Sequence, residues 1–330
     1  MKGLKSFKDE LNLVSEDNFL EFSLELFNFQ AKNNPVYRNF IESLKIRLET
    51  VKRLEDIPFL PITAFKYQDI MTGNWSSELT FESSGTTGFE VSRHSIQDLD
   101  FYKEVSRSVF ERFYGNPADY HILALLPSYL ERKFSSLVYM VDHLIELSDS
   151  VHSGYYLNDL VGLKDQIALL HDNSERKIIL WGVTFALLEF AKSFPMDLSG
   201  HIIIETGGMK GRGAELVREE VHGILKDAFN IRHVHSEYGM TELLSQAYAL
   251  TNGRFRCPPW MRVLAREIND PFCTILPGEQ GVLNIVDLAN IHSCAFIGTD
   301  DLGRVYADGT FEVLGRLDNS DVRGCNLLFN

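Results

Sequence analysis

The stretch RKIILWGVTFALLEFAKSFPMDLSGHIIIETGG, residues 176–208, decides the fold class. It contains two short apolar runs, KIIL and HIII, on either side of FALLEFAKSF, whose apolar residues have helical spacing. A strand, a helix and a second strand in this order form the βαβ unit of a parallel sheet. The apolar run from Ile178 to Leu188 is far shorter than the roughly 20 residues of a bilayer span. We therefore interpret it as a buried strand that leads into a helix.

The same alternation of strand-like and helix-like runs extends outward, from about residue 75 to about residue 254. It predicts an α/β fold in which a mainly parallel sheet is covered by helices. Beyond residue 254 the helical spacing disappears, and GVLNIVDL, SCAFIG, GRVYA and FEVLGR predict short strands separated by turns. We expect residues 75–254 to form the α/β core and residues 255–330 a smaller antiparallel β lobe.

Residues 1–74 differ from both of these parts. They are predicted to form a helical N-terminal segment packed on the core, with apolar markers at Leu20, Phe22, Leu24 and Phe27. The segment closes with DIPFLPITAF, whose two prolines exclude a regular helix.

Composition excludes several classes of function. The 330 residues include 46 acidic and 32 basic ones, and the net charge of -14 disfavours broad binding to a nucleic acid backbone or an anionic bilayer. The four cysteines lie far apart with no CxxC pair, which is typical of reduced thiols in a cytoplasm. The N-terminus lacks the apolar stretch of a signal peptide. We expect a cytoplasmic protein with no membrane span and no nucleic acid partner.

The hexapeptide SSGTTG, residues 83–88, predicts an anion-binding loop. Glycines let the backbone approach an anion closely, and hydroxyl and amide groups donate hydrogen bonds to phosphate oxygens. Arg93 follows as a candidate cation. The Gly-Lys-Ser/Thr ending of a P-loop is absent, which disfavours that class of NTPase. The alternative is a solvated Ser/Gly turn.

Two further segments follow predicted parallel strands, where open α/β sheets place their ligands. ETGGMKG, residues 205–211, has flexible backbone suited to a flat ring, although an ordinary strand-to-helix connection would have the same composition. SEYGMTE, residues 236–242, combines an aromatic ring, a hydroxyl and two carboxylates that could stack a base and hold Mg²⁺. Its alternative is a helix N-terminus capped by Thr241.

Two segments of the β lobe carry charged residues at predicted strand ends. GTDDLGR, residues 298–304, places adjacent carboxylates where one could accept hydrogen bonds from paired sugar hydroxyls. GRLDNSDVRGC, residues 315–325, offers guanidinium groups for phosphate or ribose. Taken singly, the composition of GTDDLGR favours a solvated turn, and GRLDNSDVRGC indicates no more than an edge strand.

Histidines give no metal site by themselves. His94 adjoins the SSGTTG loop and His235 precedes the Tyr238 segment, so either is a candidate for ligand contact. His233 and His235 alternate along a strand, but a zinc site would need further ligands, and a structural role is the commoner one.

Together and in this order, SSGTTG, ETGGMKG, SEYGMTE, GTDDLGR and GRLDNSDVRG resemble the adenylate-forming superfamily of acyl-CoA synthetases, adenylation domains and luciferases. More narrowly, FLPITAFK, LPSYLER, TGGMKGRG and the closing VRGCNLL resemble the acyl-protein synthetases that supply fatty acid to a reductase in bacterial bioluminescence. The similarity runs from about residue 55 to residue 330.

This resemblance implies ATP and Mg²⁺ as ligands and a role for each matching position. The implied ATP phosphate loop consists of Ser83, Ser84, Gly85, Thr86, Thr87 and Gly88, with Arg93 as its cation. The implied adenine and phosphate contacts are Gly207, Gly208, Tyr238, Gly239 and Thr241, with Glu242 as the Mg²⁺ ligand. Asp301 matches a ribose-binding aspartate and Arg316 the arginine that supports it, while Cys325 matches an acyl-accepting cysteine.

The chain departs from most of the superfamily after Asp318. Most members continue into a small mobile C-terminal domain that delivers a catalytic lysine, and we expect this domain to be absent. Acyl-protein synthetases resemble the chain in ending early, which favours that family over a self-sufficient acyl-CoA ligase.

The resemblance implies a ligase that converts a fatty or aryl acid into an acyl-adenylate and transfers the acyl group to a thiol. The acceptor is Cys325, coenzyme A or a carrier-protein phosphopantetheine, and the protein partner is an acyl-accepting protein, a reductase or a carrier protein. We expect the acyl pocket around residues 127–132 and 181–185. A different class remains open, namely a nucleotide-binding subunit without acyl transfer.

Overall fold

The computed structural model describes residues 3–83, 91–127, 132, 134–207 and 216–317. Contacts within the chain divide it into two compact units, one made of residues 1–75 and 259–330 and the other of residues 76–258. The first predicted segment and residues 259–330 of the third fall within one unit, whereas residues 255–258 belong to the other. That three-part division, with boundaries at residues 74 and 254, stays a prediction.

The described residues form helices and strands in the following order along the chain. The helices are α1 Leu4–Glu10, α2 Phe19–Asn33, α3 Pro35–Ser43, α4 Ala64–Tyr67, α5 Leu99–Tyr114, α6 Ser136–Ser148, α7 Leu160–Asn173, α8 Thr184–Ser193 and α9 Arg218–Phe229. The strands are β1 Leu60–Pro61, β2 Leu79–Glu82, β3 Arg93–Ile96, β4 Tyr120–Leu125, β5 Gly154–Tyr155, β6 Lys177–Gly182, β7 Ile202–Glu205, β8 His235–Tyr238, β9 Ala247–Ala249, β10 Phe255–Arg256, β11 Met261–Arg266, β12 Gln280–Asp287, β13 Phe296–Val305 and β14 Phe311–Arg316.

The unit of residues 76–258 contains the predicted parallel sheet. Strands β5, β4, β6, β7 and β8 lie in this order and are parallel, while β9 and β10 continue the sheet in antiparallel orientation. The quoted stretch forms β6, α8 and β7, so the prediction of a βαβ unit is confirmed. Strands β2 and β3 form a separate hairpin.

Different helices cover the two faces of this sheet, because successive side chains of a strand point in opposite directions. On one face Leu123, Leu180 and Ile203 belong to an apolar core formed with α7, α8 and α9. On the other face Trp181 stacks on Phe110 of α5, with 6.3 Å between the ring centroids. Strand β6 is therefore buried on both sides, as its continuous apolar run indicates.

The unit that contains both chain ends has an antiparallel sheet, β11-β12-β13-β14, with the short β1 parallel to β13. Its N-terminal helices pack on this sheet. The side chain of Gln30 donates to the carbonyl oxygens of Asn290 and Ile291 and accepts from the amide of Ala295. Phe27 packs edge-on against Phe296 of β13.

Details of this unit differ from the sequence prediction. SCAFIG and GRVYA are parts of one strand, β13, rather than two strands. Of the apolar residues that mark the predicted helical segment, Phe22 and Phe27 are buried, whereas 41% of the surface of Leu20 is exposed. No helix among the described residues has the length and apolar character needed to cross a membrane.

Candidate active site

The hairpin β2–β3 presents the predicted phosphate loop. The amide of Ser83 donates to the carbonyl oxygen of Ser92 at 3.0 Å, and the amide of Ser92 donates to the Ser83 hydroxyl at 2.9 Å. These two bonds close the base of the loop. Arg93 begins β3 opposite Glu82 and is exposed. The remaining predicted loop residues, Ser84, Gly85, Thr86, Thr87 and Gly88, lie outside the described residues.

A buried histidine joins this hairpin to the Tyr238 segment. Nδ1 of His94 lies 2.8 Å from the carbonyl oxygen of Thr241, and 1% of the side-chain surface is exposed. A carbonyl oxygen can only accept, so Nδ1 carries a proton and donates it. The structure thus brings Ser83 and Arg93, through the hairpin, to the neighbourhood of Thr241.

The Tyr238 segment ends β8 and continues as an irregular turn into β9. No helix begins there, so the alternative of a helix N-terminus capped by Thr241 is wrong. The ring of Tyr238 packs against Phe255, with 5.8 Å between centroids. Glu242 is 4% exposed, and Gly239 is exposed.

The end of β7 is held by the carboxylate of Glu205. Its Oε1 accepts from the amide of Gly207 at 2.7 Å and from the hydroxyl of Thr184, and the amide of Thr184 donates to the carbonyl oxygen of Gly207 at 2.8 Å. Gly207 has a φ of 73°, which a residue with a Cβ rarely adopts. An added Cβ would meet no described atom within 4 Å. Gly208 lies outside the described residues.

One buried acid was not among the predicted site residues. Glu237 lies in β8, and its carboxylate accepts a short hydrogen bond from the Thr206 hydroxyl. Burial is the main reason that the pKa of Glu237 is raised to about 7; the Thr206 hydrogen bond opposes this rise and the charge of Glu205 adds to it. The sequence signal that could have identified this residue is an acidic residue inside a strand, between two neighbours that are buried.

A second predicted group lies in the unit that contains β13 and β14. Asp301 and Arg316 are register partners on these strands, and Arg316 Nε lies 3.3 Å from Asp301 Oδ1. The Asp301 side chain is 14% exposed and that of Arg316 is 50% exposed. The amide of Asp301 donates to the Thr299 hydroxyl at 3.1 Å, which fixes the backbone beside the carboxylate. The structure therefore joins the two residues that the resemblance pairs.

The described cysteines are free thiols in three different environments. Cys294 is buried, and burial raises the pKa of its thiol to about 12. Cys273 is exposed and Cys257 is partly exposed. Cys325 lies outside the described residues.

Within the described ranges, no group of three His, Cys, Asp or Glu side chains could hold a metal ion. His235 instead has a structural partner, since its Nδ1 lies 3.2 Å from the Tyr114 hydroxyl. Mg²⁺ is normally held by one or two carboxylates together with phosphate oxygens and water. Glu242 fits such a site as its protein ligand, and its role there stays a prediction.

Sequence comparisons relate this chain to proteins of known function. A sequence model described as acyl-protein synthetase, LuxE, matches residues 136–330. The long-chain-fatty-acid–luciferin-component ligase of Aliivibrio fischeri is 26% identical over 334 residues, covering 92% of this chain and 85% of that protein. The ligase of the same name from Vibrio harveyi is 24% identical, covering 91% and 84%.

Solved structures share the fold. The 2-hydroxyisobutyryl-CoA ligase in complex with 2-HIB-AMP and CoA superposes with a TM-score of 0.66 and 13% identity, covering 92% of this chain and 70% of the ligase. ATP-bound MatB from Rhodopseudomonas palustris gives a TM-score of 0.55 and 16% identity, covering 74% of this chain. The match spans about half of MatB, 49% of its length. These likenesses show an adenylate-forming ligase fold.

Proposed function

This chain belongs to the LuxE family of acyl-protein synthetases, and from that premise we propose that it activates a carboxylic acid with ATP and passes the acyl group to a thiol. The observation that carries the proposal is the contact between His94 and Thr241. It brings the hydroxyl-rich hairpin and the Tyr238 segment together, as a site for one nucleotide requires.

The residues of the unit 76–258 fit an ATP molecule. The loop that starts at Ser83 would donate hydrogen bonds to the phosphates, and Arg93 would neutralise part of their charge. The backbone at Gly207, where an added Cβ would meet no described atom, would accept a flat base, and Tyr238 would contact the face of that base. Glu242 would be the protein ligand of Mg²⁺, which when bound neutralises phosphate charge.

The chemistry consists of two displacements. The substrate carboxylate attacks the α-phosphorus of ATP, an O–P bond forms, and pyrophosphate leaves. A thiol sulfur then attacks the acyl carbon, its proton is lost to solvent, and AMP leaves as a stable anion. In the first step two anions approach each other, so the loop donors and Arg93 act mainly by charge neutralisation and positioning.

Asp301 is proposed to bind the ribose hydroxyls, with Arg316 holding its carboxylate in place. The 3.3 Å contact between the two side chains is consistent with Arg316 holding the carboxylate in place. A carboxylate accepts hydrogen bonds from both hydroxyls of a sugar, which is why this residue type suits the role.

The acid is proposed to be a fatty acid or an aryl acid, and the acceptor to be Cys325, coenzyme A or a carrier protein. Intact-mass measurement after incubation with ATP and a panel of acids tests both points. We expect AMP to form only in the presence of an accepted acid, and a thioester adduct on the wild-type chain that is absent in Cys325→Ser. An adduct retained by the variant would exclude Cys325, and ADP as the product would contradict acyl-adenylate formation.

A further inference from the structure

Glu237 occupies a position between two segments that the proposed function assigns to the nucleotide. Thr206, which immediately precedes Gly207, donates its hydroxyl hydrogen bond to one carboxylate oxygen of Glu237. Glu237 itself immediately precedes Tyr238. A single buried carboxyl group therefore connects the end of β7 to the end of β8.

The second carboxylate oxygen of Glu237 packs on Gly239. A Cβ added to Gly239 would lie 2.5 Å from Glu237 Oε1, closer than real Cβ atoms come to another heavy atom. The other atoms near that position, Gln246 Cγ at 3.4 Å and Glu237 Cδ at 3.7 Å, are less restrictive. A side chain at position 239 would therefore have to displace the Glu237 carboxyl group, which fills the space that the side chain would use.

Ionisable groups on three neighbouring elements face this carboxyl group. Tyr248 is the register partner of Glu237 on β9. Burial and, after it, the charge of Glu237 raise the pKa of Tyr248 and of Tyr102 and Tyr114 on α5. Glu205 at the end of β7 adds a like charge. Ionisation of Glu237 would place a charge in this buried cluster next to an anionic ligand.

We propose that Glu237 is a positioning residue that holds the Thr206–Gly207 turn against the Tyr238–Gly239 turn and so sets the shape of the nucleotide site. The proposal deepens the proposed function and depends on ATP binding at these turns. Because the pKa of Glu237 is about 7, the residue is neutral below neutral pH and charged above it. ATP is a polyanion, so its affinity should be higher when Glu237 is neutral.

Calorimetric titration with ATP and Mg²⁺ at pH 6 and pH 8 tests this coupling. Comparison with a variant removes the contribution of ATP's own protonation, since that contribution is common to both proteins. Glu237→Gln keeps an acceptor for Thr206 but cannot ionise. We expect the ratio of wild-type to variant dissociation constants to rise about fivefold or more from pH 6 to pH 8. The exposed Glu104, on α5, supplies the control Glu104→Gln, whose ratio should stay constant.

A double-mutant cycle tests the packing on Gly239. Gly239→Ala should weaken ATP binding about tenfold in the wild-type background, because the new methyl group displaces the carboxyl group. The same change should cost little in Glu237→Ala, where that group is gone. Unfolding midpoints of all four proteins separate misfolding from misplacement, and the pH comparison with Glu237→Gln still tests the proposal if Glu237→Ala does not fold.

The outcomes distinguish a failure of the proposed function from a failure of the positioning role. If the wild-type chain does not bind ATP, the proposed function fails and the role of Glu237 fails with it. If ATP binds but Glu237→Gln leaves the pH profile unchanged and Gly239→Ala is equally harmful in both backgrounds, the positioning role alone is refuted.

Discussion

Asn and Asp have the same size but opposite hydrogen-bonding character. Replacing His94 with each of them tests its contact with Thr241, on which the candidate site depends. His94 Nδ1 donates to the Thr241 carbonyl oxygen at 2.8 Å in a buried position. The amide nitrogen of Asn can take the place of Nδ1 as a donor, whereas Asp offers only acceptors when ionised. His94→Asn should therefore keep the contact, and His94→Asp should lose it.

The expected loss of stability follows from the burial of the side chain that donates to the Thr241 carbonyl oxygen. A buried polar group left without its hydrogen bond costs about 1 to 3 kcal/mol, and a buried charge costs more. We expect His94→Asp to lower the free energy of unfolding by at least about 2 kcal/mol, and His94→Asn to lower it by less than about 1 kcal/mol. If the hairpin moves away from Thr241, the KM for ATP should rise about tenfold in His94→Asp, since about 1.4 kcal/mol corresponds to a factor of ten.

Urea unfolding and acid-dependent AMP formation, measured on both variants, provide the assay. The exposed His233 gives a matched control. His233→Asn and His233→Asp introduce the same two side chains at a position outside the hydrogen bond between His94 and Thr241. Equal stability and equal KM for His94→Asn and His94→Asp would refute the reasoning, as would an equally large difference between the two control variants.

Three further perturbations follow from the geometry. Thr184→Val, which keeps the shape but removes the hydroxyl bonded to Glu205, should lower the free energy of unfolding by about 1.5 to 3 kcal/mol in urea titrations, and an unchanged value would contradict the assigned bond. Because the pKa of Glu237 is raised from its ordinary value of 4.5 to about 7 in the folded chain, its contribution to stability is complete below pH 4.5 and is lost as pH rises to 7. Stability measured against Glu237→Gln should thus fall by about 3 kcal/mol across that window, and a flat difference would refute the shift. Asp301→Asn should change stability by less than about 1 kcal/mol, since its partner Arg316 is half exposed, yet raise the KM for ATP about tenfold; a large loss of stability with unchanged KM would reverse that assignment.

The sequence predicted those parts of the fold that local patterns determine. Strand β6 and helix α8 could be recognised because a continuous apolar run changes to helical spacing within a few residues. Strand β13 was predicted as two strands because Asp300, Asp301 and Leu302 interrupt the apolar pattern. The strand nevertheless continues through them, with a shift of register between Leu302 and Gly303 that absorbs the change.

Contacts between distant parts of the chain could not be predicted in the same way. The bond from His94 to Thr241 spans 147 residues, and nothing local to either residue indicates its partner. Leu20 satisfies the apolar spacing of its helix but lies on the exposed side, since the sheet that α2 packs on is formed more than two hundred residues later. Glu237 was visible as part of a motif, but its role depends on Thr206 from another strand.

The pairing of Asp301 with Arg316 is an intermediate case. Resemblance to the adenylate-forming superfamily predicted both residues, and the antiparallel register of β13 and β14 explains why they meet. Composition or spacing alone would not have paired two charged residues fifteen positions apart across a turn.

Exchange of labelled pyrophosphate into ATP tests acyl-adenylate formation most directly, because it requires only the reversible first displacement and no acceptor thiol. We expect exchange that depends on both the chain and a carboxylic acid, and that persists in Cys325→Ser. Absence of acid-dependent exchange across aliphatic and aromatic acids, in a protein that still binds ATP, would contradict it.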